Sequence, residues 1–438
     1  MRPPAAGPAT EYAAEYATNW AGNYTYGAAR LHRPASVAEV QAVVARATRV
    51  KVLGSRHSFN GVADTTGDLV SLDRLDRVVA LDPERRTVTV EGGIRYGTLA
   101  DHLARAGWAL HNLASLPHIS VAGACATGTH GSGDRNANLA TAVSALELVT
   151  AGGDLVALSR ERGGEDFRGA VVGLGALGAV VRLTLDVRPT YDVVQHVYEG
   201  LPFAELLEHL DDVLAGAYSV SVFTTWGGPR VEQVWLKRVH RPGAPSDPPR
   251  GLLGAAPAAD HRHPIAGLSA ANCTEQLGVP GPWHDRLPHF RLNFTPSSGA
   301  ELQSDYLVPR AHARAALRAV DAVRDRLAPL VLVSELRTVA ADDLWLSPCY
   351  GRDCLSVHFT WKPDPAAVGA LLPALEARLA PFDARPHWGK LFAVAPERLA
   401  ALYERLPDFR ALVRRYDPAG KFRNAFLDQY VFAGGRRP

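Results

Sequence analysis

At 438 residues the chain is too long for one small hydrophobic core and is expected to divide into two or three domains. Its 47% apolar and 21% charged residues and formal net charge of +2 are those of an ordinary globular protein, and no basic run is long enough for a nucleic-acid surface. Cys125, Cys273, Cys349 and Cys354 are too sparse for a disulfide framework and lack ligand spacing. With no signal-like amino terminus and no apolar run of membrane-span length, this points to a cytoplasmic protein without a metal centre.

Ser36 and Glu39 form a capping box ahead of Val37, Val40, Val43 and Val44 at helical spacing, so a helix feeds the strand Val50-Lys51-Val52-Leu53. That strand ends in Gly54-Ser55-Arg56-His57-Ser58. The small residues leave backbone N–H groups free to face an anion, and the turn presents one imidazole able to serve as nucleophile, acid, base or ligand. Short strands follow at residues 69–72, 78–81 and 87–90, and then a helix with Tyr96, Leu99 and Leu103 on its apolar face.

The run from Ser115 to Gly133 is rich in small and hydroxyl residues. That suits close backbone approach to a large flat ligand and its phosphates, or else a tightly packed small-residue helix and loop. Strands at residues 145–150 and 155–158 are joined by Gly152-Gly153-Asp154, a hairpin signal. Gly173-Leu174-Gly175-Ala176-Leu177-Gly178 spells the dinucleotide fingerprint, but the strand pattern of residues 180–187 follows it where a helix is required, so a tight turn is the better reading.

Arg188-Pro189-Thr190 reads as a boundary and the proline-rich stretch Arg241 to Pro249 as a surface loop. A single helix is expected over residues 311–327. In the strand Ser356-Val357-His358-Phe359-Thr360-Trp361, alternation puts Ser356, His358 and Thr360 on one face; in residues 331–337, Glu335 and Arg337 share a face.

Gly54 to Ser58, the Ser115 to Gly133 run, Gly175 to Gly178, His387-Trp388-Gly389-Lys390 and the closing Asp417-Pro418-Ala419-Gly420-Lys421-Phe422-Arg423-Asn424 occur in order. Together they resemble the vanillyl-alcohol-oxidase-type FAD flavoproteins, in particular their sugar-lactone and alditol oxidase branch. The resemblance runs from about Thr18 to the carboxyl end. It implies an α+β, mixed α/β, two-domain flavoprotein: an FAD-binding domain over residues 1–190, built of two small α/β subdomains, and a substrate cap over residues 191–379 with an antiparallel sheet flanked by helices. Residues 380–438 would return to close the active site.

The same resemblance implies FAD held covalently by His57 alone, through the flavin 8α-methyl, with further contacts from Val52, Leu53, Gly54, Ser55, Arg56, Ser58, Ser115, Ser120, Gly123, Thr127, Gly128, Thr129, His130, Val180, Thr360 and His387. Arg56 stands where the family often has glycine; a positive φ there would be strained, although an arginine could balance phosphate charge. For the substrate it implies Ser115, Glu335, Arg337, Thr360 and Lys390, with His358 beside them. Such a set can bind several hydroxyls of a polyol in a dry pocket.

The expected reaction is oxidation of the terminal primary alcohol of an alditol such as xylitol or sorbitol by a monomeric enzyme. Hydride goes to flavin N5, the hydroxyl proton goes to His358, and Arg337 and Lys390 stabilise developing negative charge. Oxygen is then reduced to hydrogen peroxide. An aldono-1,4-lactone oxidase or dehydrogenase (gulono- or arabinono-lactone) and a non-catalytic flavin- or carbohydrate-binding protein are the competing readings.

Overall fold

The computed structural model describes residues 16–241, 243, 251–292 and 300–433; most of the proline-rich stretch, residues 242 and 244–249, lies outside them. The fold is mixed α/β, with sheets of three, five and nine strands and one two-stranded pairing among the described residues.

The three-stranded sheet is parallel, with Asp68–Ser71 between Arg30–His32 and Val50–Leu53. The helix Val37–Arg46 makes the crossover. Ser36 Oγ accepts from the Glu39 N–H at 3.2 Å and the Glu39 carboxylate accepts from the Ala35 N–H at 2.9 Å, so the box forms with its return bond one residue upstream. Val40 and Val44 pack on Val50 and Val70 beneath it.

The five-stranded sheet is antiparallel, in the order Val78–Asp82, Thr87–Glu91, Ala179–Asp186, Val143–Val149, Leu155–Ser159. The Gly152-Gly153-Asp154 turn joins its last two strands as a hairpin. The fingerprint-like glycines follow the helix Gly164–Val171 and precede the strand Ala179–Asp186, the reverse of a dinucleotide site.

Six long antiparallel strands make the body of the nine-stranded sheet: Asp192–Pro202, Arg230–His240, Ser219–Thr224, Val331–Val339, Cys354–Trp361 and Leu302–Pro309, with two-residue strands at its edges. Alternation sorts its two faces. Val220, Val222, Leu336, Val357, Phe359 and Trp361 enter a core covered by the helices Ala313–Asp321 and Pro365–Leu379, and the Phe359 and Trp361 rings stack at 4.7 Å. The opposite face, carrying Gln303, Asp305, Glu335, Arg337, Ser356, His358 and Thr360, turns toward the smaller sheets.

The helix expected over residues 311–327 is two, Ala313–Asp321 and Arg324–Leu327. Val323 leaves helical geometry at φ −118°, ψ 17°, and Arg324 caps the break by donating to Asp321 and, at 3.1 Å, to the Gly228 carbonyl of a neighbouring loop. Periodicity continues through the interruption because Leu327 still faces the core.

The last segment is clasped to the first sheet. Lys421 Nζ donates to the carbonyls of Val44 and Ala151, each at 2.7 Å, and Val50 N–H donates to the Lys421 carbonyl at 2.9 Å. Asn424 Nδ2 reaches the carbonyls of Gly61, Val62 and Asp64 at 2.7–3.1 Å. Among the described residues no helix is long and apolar enough to cross a membrane, and no group of three or more His, Cys, Asp or Glu side chains is arranged to hold a metal.

Candidate active site

A cavity of about 770 Å³ opens between the smaller sheets and the polar face of the large one. On one side its wall is backbone. The turn after Val50–Leu53 meets the start of the helix Val121–Ala126 in a reciprocal pair of bonds: Ser55 N–H donates to Ser120 Oγ at 3.2 Å and Ser120 N–H to Ser55 Oγ at 3.1 Å. A Cβ on Gly54 would lie 2.6 Å from Ser120 Oγ, and one on Gly123 would lie 2.8 Å from it. Glycine at both positions is what lets the two segments close around that hydroxyl.

Arg56 has φ +63°, the strained conformation its sequence position suggested. Its neighbours hold it there. The guanidinium lies over the Tyr16 ring at 5.1 Å and donates to the Thr18 carbonyl at 3.3 Å, while its own carbonyl accepts from Trp20 N–H at 2.8 Å.

His57 follows, stacked on Trp20 with ring centroids 5.2 Å apart. The residue is partly exposed, yet both ring nitrogens are shut off from solvent and neither makes a well-formed hydrogen bond. Burial, reinforced by the charge of Lys390, pushes its pKa down to about 3, so the ring is neutral. Ring nitrogens shielded from solvent on a cavity wall without a well-formed hydrogen bond are costly unless something in the cavity engages them.

The opposite wall is the polar sheet face, where Glu335 and Asp305 each pair across the strands with His358. Arg337 is its centre, with Nε 3.5 Å from Glu335 Oε2, Nη2 3.9 Å from Asp305 Oδ2 and Nη1 donating to Ser115 Oγ at 3.4 Å. Burial alone would raise Glu335, but Arg337 and His289 prevail and hold it well below the usual carboxylate range. Asp305 is likewise ionised despite burial, through its contacts with His130 (3.1 Å) and Arg337. Ser356 Oγ adds a hydrogen bond to it at 2.8 Å.

Lys390 enters from the carboxyl-terminal segment, its backbone fixed by Asn60, whose Nδ2 donates to the Trp388 and Lys390 carbonyls at 2.9 and 2.8 Å. Its Nζ donates to Gln303 Oε1, and burial lowers its pKa to about 8. His387 sits beside it with Nδ1 accepting from Gly389 N–H at 3.1 Å. Gln303 Nε2 donates to Glu301, so its Oε1 is the acceptor for both Lys390 and His358 Nε2, the latter at 3.3 Å. His358 therefore carries its proton on Nε2 and keeps Nδ1 as the acceptor.

Of the residues singled out from sequence, all but Gly128 and Glu335 line the cavity. Gly128, at φ +68°, turns the chain after the helix Val121–Ala126, with Pro348 3.2 Å from where its Cβ would be. The Glu335 carboxylate stands behind the wall, engaged by His289 at 2.8 Å and by Arg337. Sequence reasoning missed Gln303, Asp305, His289 and Lys237. Leu302 to Val308 shows the alternation that exposed His358, so Gln303 and Asp305 were findable; His289, in an irregular loop, carries no such signal.

Comparison with known proteins places this geometry. Residues 28–159 match the family model for an FAD binding domain and residues 300–430 that for D-arabinono-1,4-lactone oxidase. The chain is 52% identical to an alditol oxidase from a Streptomyces species over 93% of its own length and 96% of that protein's. It belongs to the sugar-lactone and alditol oxidase family of FAD-binding oxidoreductases. L-gulono-1,4-lactone dehydrogenase of Mycobacterium tuberculosis is 32% identical over 90% of this chain and 94% of that one. In fold the chain follows cholesterol oxidase from Brevibacterium sterolicum, with a TM-score of 0.76 at 13% identity, covering 94% of this chain and 96% of that one.

The residues present fit FAD: the backbone of Gly54 and Gly123 lines the cavity wall, and His57 offers an imidazole without a well-formed hydrogen bond. The Ser55–Ser120 lock should govern flavin retention. Gly54→Ala, whose methyl displaces Ser120 Oγ, and Ser120→Ala should each lower the flavin-to-protein absorbance ratio, and the double variant should lose no more than the worse single one because all three remove the same contact. Additive losses would show that the two substitutions act through separate contacts, and native flavin content in both single variants would show the lock to be unimportant.

Proposed function

We propose that the protein is an FAD-dependent oxidase that converts the terminal primary alcohol of an alditol such as xylitol or sorbitol to the aldose, with oxygen reduced to hydrogen peroxide. The observation that carries this reading is a wall of paired charges and hydroxyls, Arg337, Lys390, Ser115 and Thr360, facing the same cavity as the unpartnered His57. In this reading residues 1–190 hold FAD, residues 191–379 form the substrate cap and residues 380–438 close the site. The protein acts as a monomer in the cytoplasm, a reducing compartment with which its four free, buried cysteines are in keeping.

His57 anchors FAD covalently, and its neutral state keeps a lone pair available for that bond. When bound, FAD supplies the acceptor for the hydride and the route for electrons to oxygen. The chain's own groups prepare the alcohol. Arg337 and Lys390 favour alkoxide character at the reacting hydroxyl, and Ser115 and Thr360 orient the polyol. His358 accepts the hydroxyl proton at Nδ1. Burial, with the charges of Lys390 and Arg337, lowers its pKa to about 3, so it is always unprotonated and ready, but a weak base. The same two cations acidify the alcohol, which offsets that weakness.

The lactone reading retains two supports, the match of residues 300–430 to the D-arabinono-1,4-lactone oxidase model and the 32% identity to L-gulono-1,4-lactone dehydrogenase. A non-catalytic binding protein would have no need of so many buried charges at one wall. A panel of alditols and aldonolactones read both by peroxide and by reduction of an artificial electron-acceptor dye separates the three: alditols should give peroxide, turnover of lactones alone would move the assignment, and silence on both substrates in both assays would leave binding only. Yellow colour should stay with the acid-precipitated chain and be washed away from His57→Ala; flavin freed by acid from the native protein would remove the covalent anchor.

Lys390 is charged below about pH 8 and loses its charge above it. The alditol kcat/KM should therefore fall as pH rises through 8, and Lys390→Arg, which stays charged, should lack that limb; an unchanged limb in the variant would exclude Lys390 as its source. In anaerobic stopped flow, His358→Ala should slow flavin reduction by xylitol by about 10²-fold or more, the usual worth of a positioned base. Reduction at the native rate would show the proton goes elsewhere.

A further inference from the structure

Behind the polar wall lies a buried cation to which the site described so far gives no role. Lys237, on the strand Arg230–His240, is 1% exposed. Its Nζ meets three acceptors: the carbonyls of Leu287 at 2.6 Å and Pro288 at 3.0 Å, and His289 Nδ1 at 3.2 Å. An ammonium has three hydrogens and no lone pair, so this environment saturates it and obliges His289 Nδ1 to accept. The one ring proton of a neutral His289 must then sit on Nε2, which is 2.8 Å from Glu335 Oε1. The opposite tautomer would set N–H against N–H at Lys237 and a lone pair against a carboxylate at Glu335.

The ring has little freedom to escape this arrangement. Phe223 and Trp235 flank it edge-on, with centroids 5.4 and 5.1 Å away. The backbone of the same loop holds Ser115, whose carbonyl accepts from His289 N–H at 3.1 Å and from Phe290 N–H at 3.3 Å. Burial, with the charge of Lys237, lowers the pKa of His289 to about 4, so the ring carries a single proton at neutral pH. Burial also brings Lys237 down to about 7, opposed by Glu335, so the ammonium is the majority form below that pH, which is where the tautomer is to be read.

Resting on the polyol-oxidase reading, we propose that Lys237 and His289 are positioning residues: the ammonium selects the Nε2–H tautomer of His289, which clamps the Glu335 carboxylate and thereby holds Arg337 toward Ser115 and the substrate. The hydrogen-bond polarity runs one way, from Lys237 through His289 to Glu335, and a residue at 289 works if it accepts at one end and donates at the other.

Glutamine meets that condition and leucine does not. In holoenzymes of matched flavin content and thermal midpoint, His289→Leu should raise KM for xylitol by about tenfold or more, the usual scale for losing a charge-assisted hydrogen bond, while His289→Gln stays within about threefold of native. Equal damage from both variants, or native kinetics in His289→Leu, would overturn the proposal. A native enzyme that oxidises no polyol would instead refute the functional reading. The tautomer remains readable in that case: with ¹⁵N-labelled histidine, the resonance missing from His289→Gln should show its proton on Nε2 in the native holoenzyme, and a proton on Nδ1 there would refute the chain of bonds whatever the activity. With Glu335→Gln, whose amide can donate or accept, the proton should stay on Nε2 while Lys237 is present and spread over both nitrogens once Lys237→Met is added; a pure Nε2–H signal in that double variant would remove Lys237 from the argument.

Discussion

Every charge on the cavity face of the large sheet has to be answered by another charge or hydrogen bond, and that requirement organises the protein around it. Glu335, Asp305 and Arg337 are buried and Lys390 is half-buried, and an unpaired charge taken out of water costs several kcal/mol. Strand alternation puts them within reach of one another, and strand register decides the pairings: Asp305 and Glu335 flank His358 from its two neighbouring strands. Arg337 then bridges both carboxylates and Ser115, which joins the sheet to the small-residue run on the other side of the cavity. The opposite face of the sheet is apolar and helix-covered, so the two faces meet opposite demands with residues one position apart.

This division explains which parts of the site were legible in the sequence. His358, Thr360, Glu335 and Arg337 stood out because a polar residue at every second position of an otherwise apolar strand marks a face with a purpose. Gln303 and Asp305 follow the same rule. His289 and Lys237 could not be reached that way, since their meaning depends on a loop folding over two strands of the sheet, a contact between residues distant in sequence. The cavity also revised one expectation: Glu335 braces Arg337 from behind the wall, a distinction between first and second layers that period-two patterning does not carry.

At the flavin side, legibility ran through the residues that sequence logic disfavours. Arg56 was conspicuous because glycine suits its backbone better, and the positive φ is there. A β-carbon in that region is unfavourable by about 1–2 kcal/mol, and the Tyr16, Thr18 and Trp20 contacts supply the compensation. The same segment stacks Trp20 on His57. Backbone strain and histidine orientation are thus fixed by one short stretch near residue 18. The break at Val323 shows the converse: the apolar period runs on undisturbed, and only the contact of Arg324 with a distant loop reveals the interruption.

The clasp of Lys421 and Asn424 onto residues 44–64 has a consequence for how the protein comes into being. The first sheet is made well before residues 421–424, yet carbonyls of the segments around it and the backbone of Val50 are satisfied by those residues, more than 350 positions later. Chains emerge from the ribosome amino end first, so the cradle around Gly54 and His57 cannot consolidate until residues 421–424 have been made. Its contacts are among the most non-local in the molecule, which is the slow class of folding. A chain that has not yet reached Asn424 therefore has no completed cradle at Gly54.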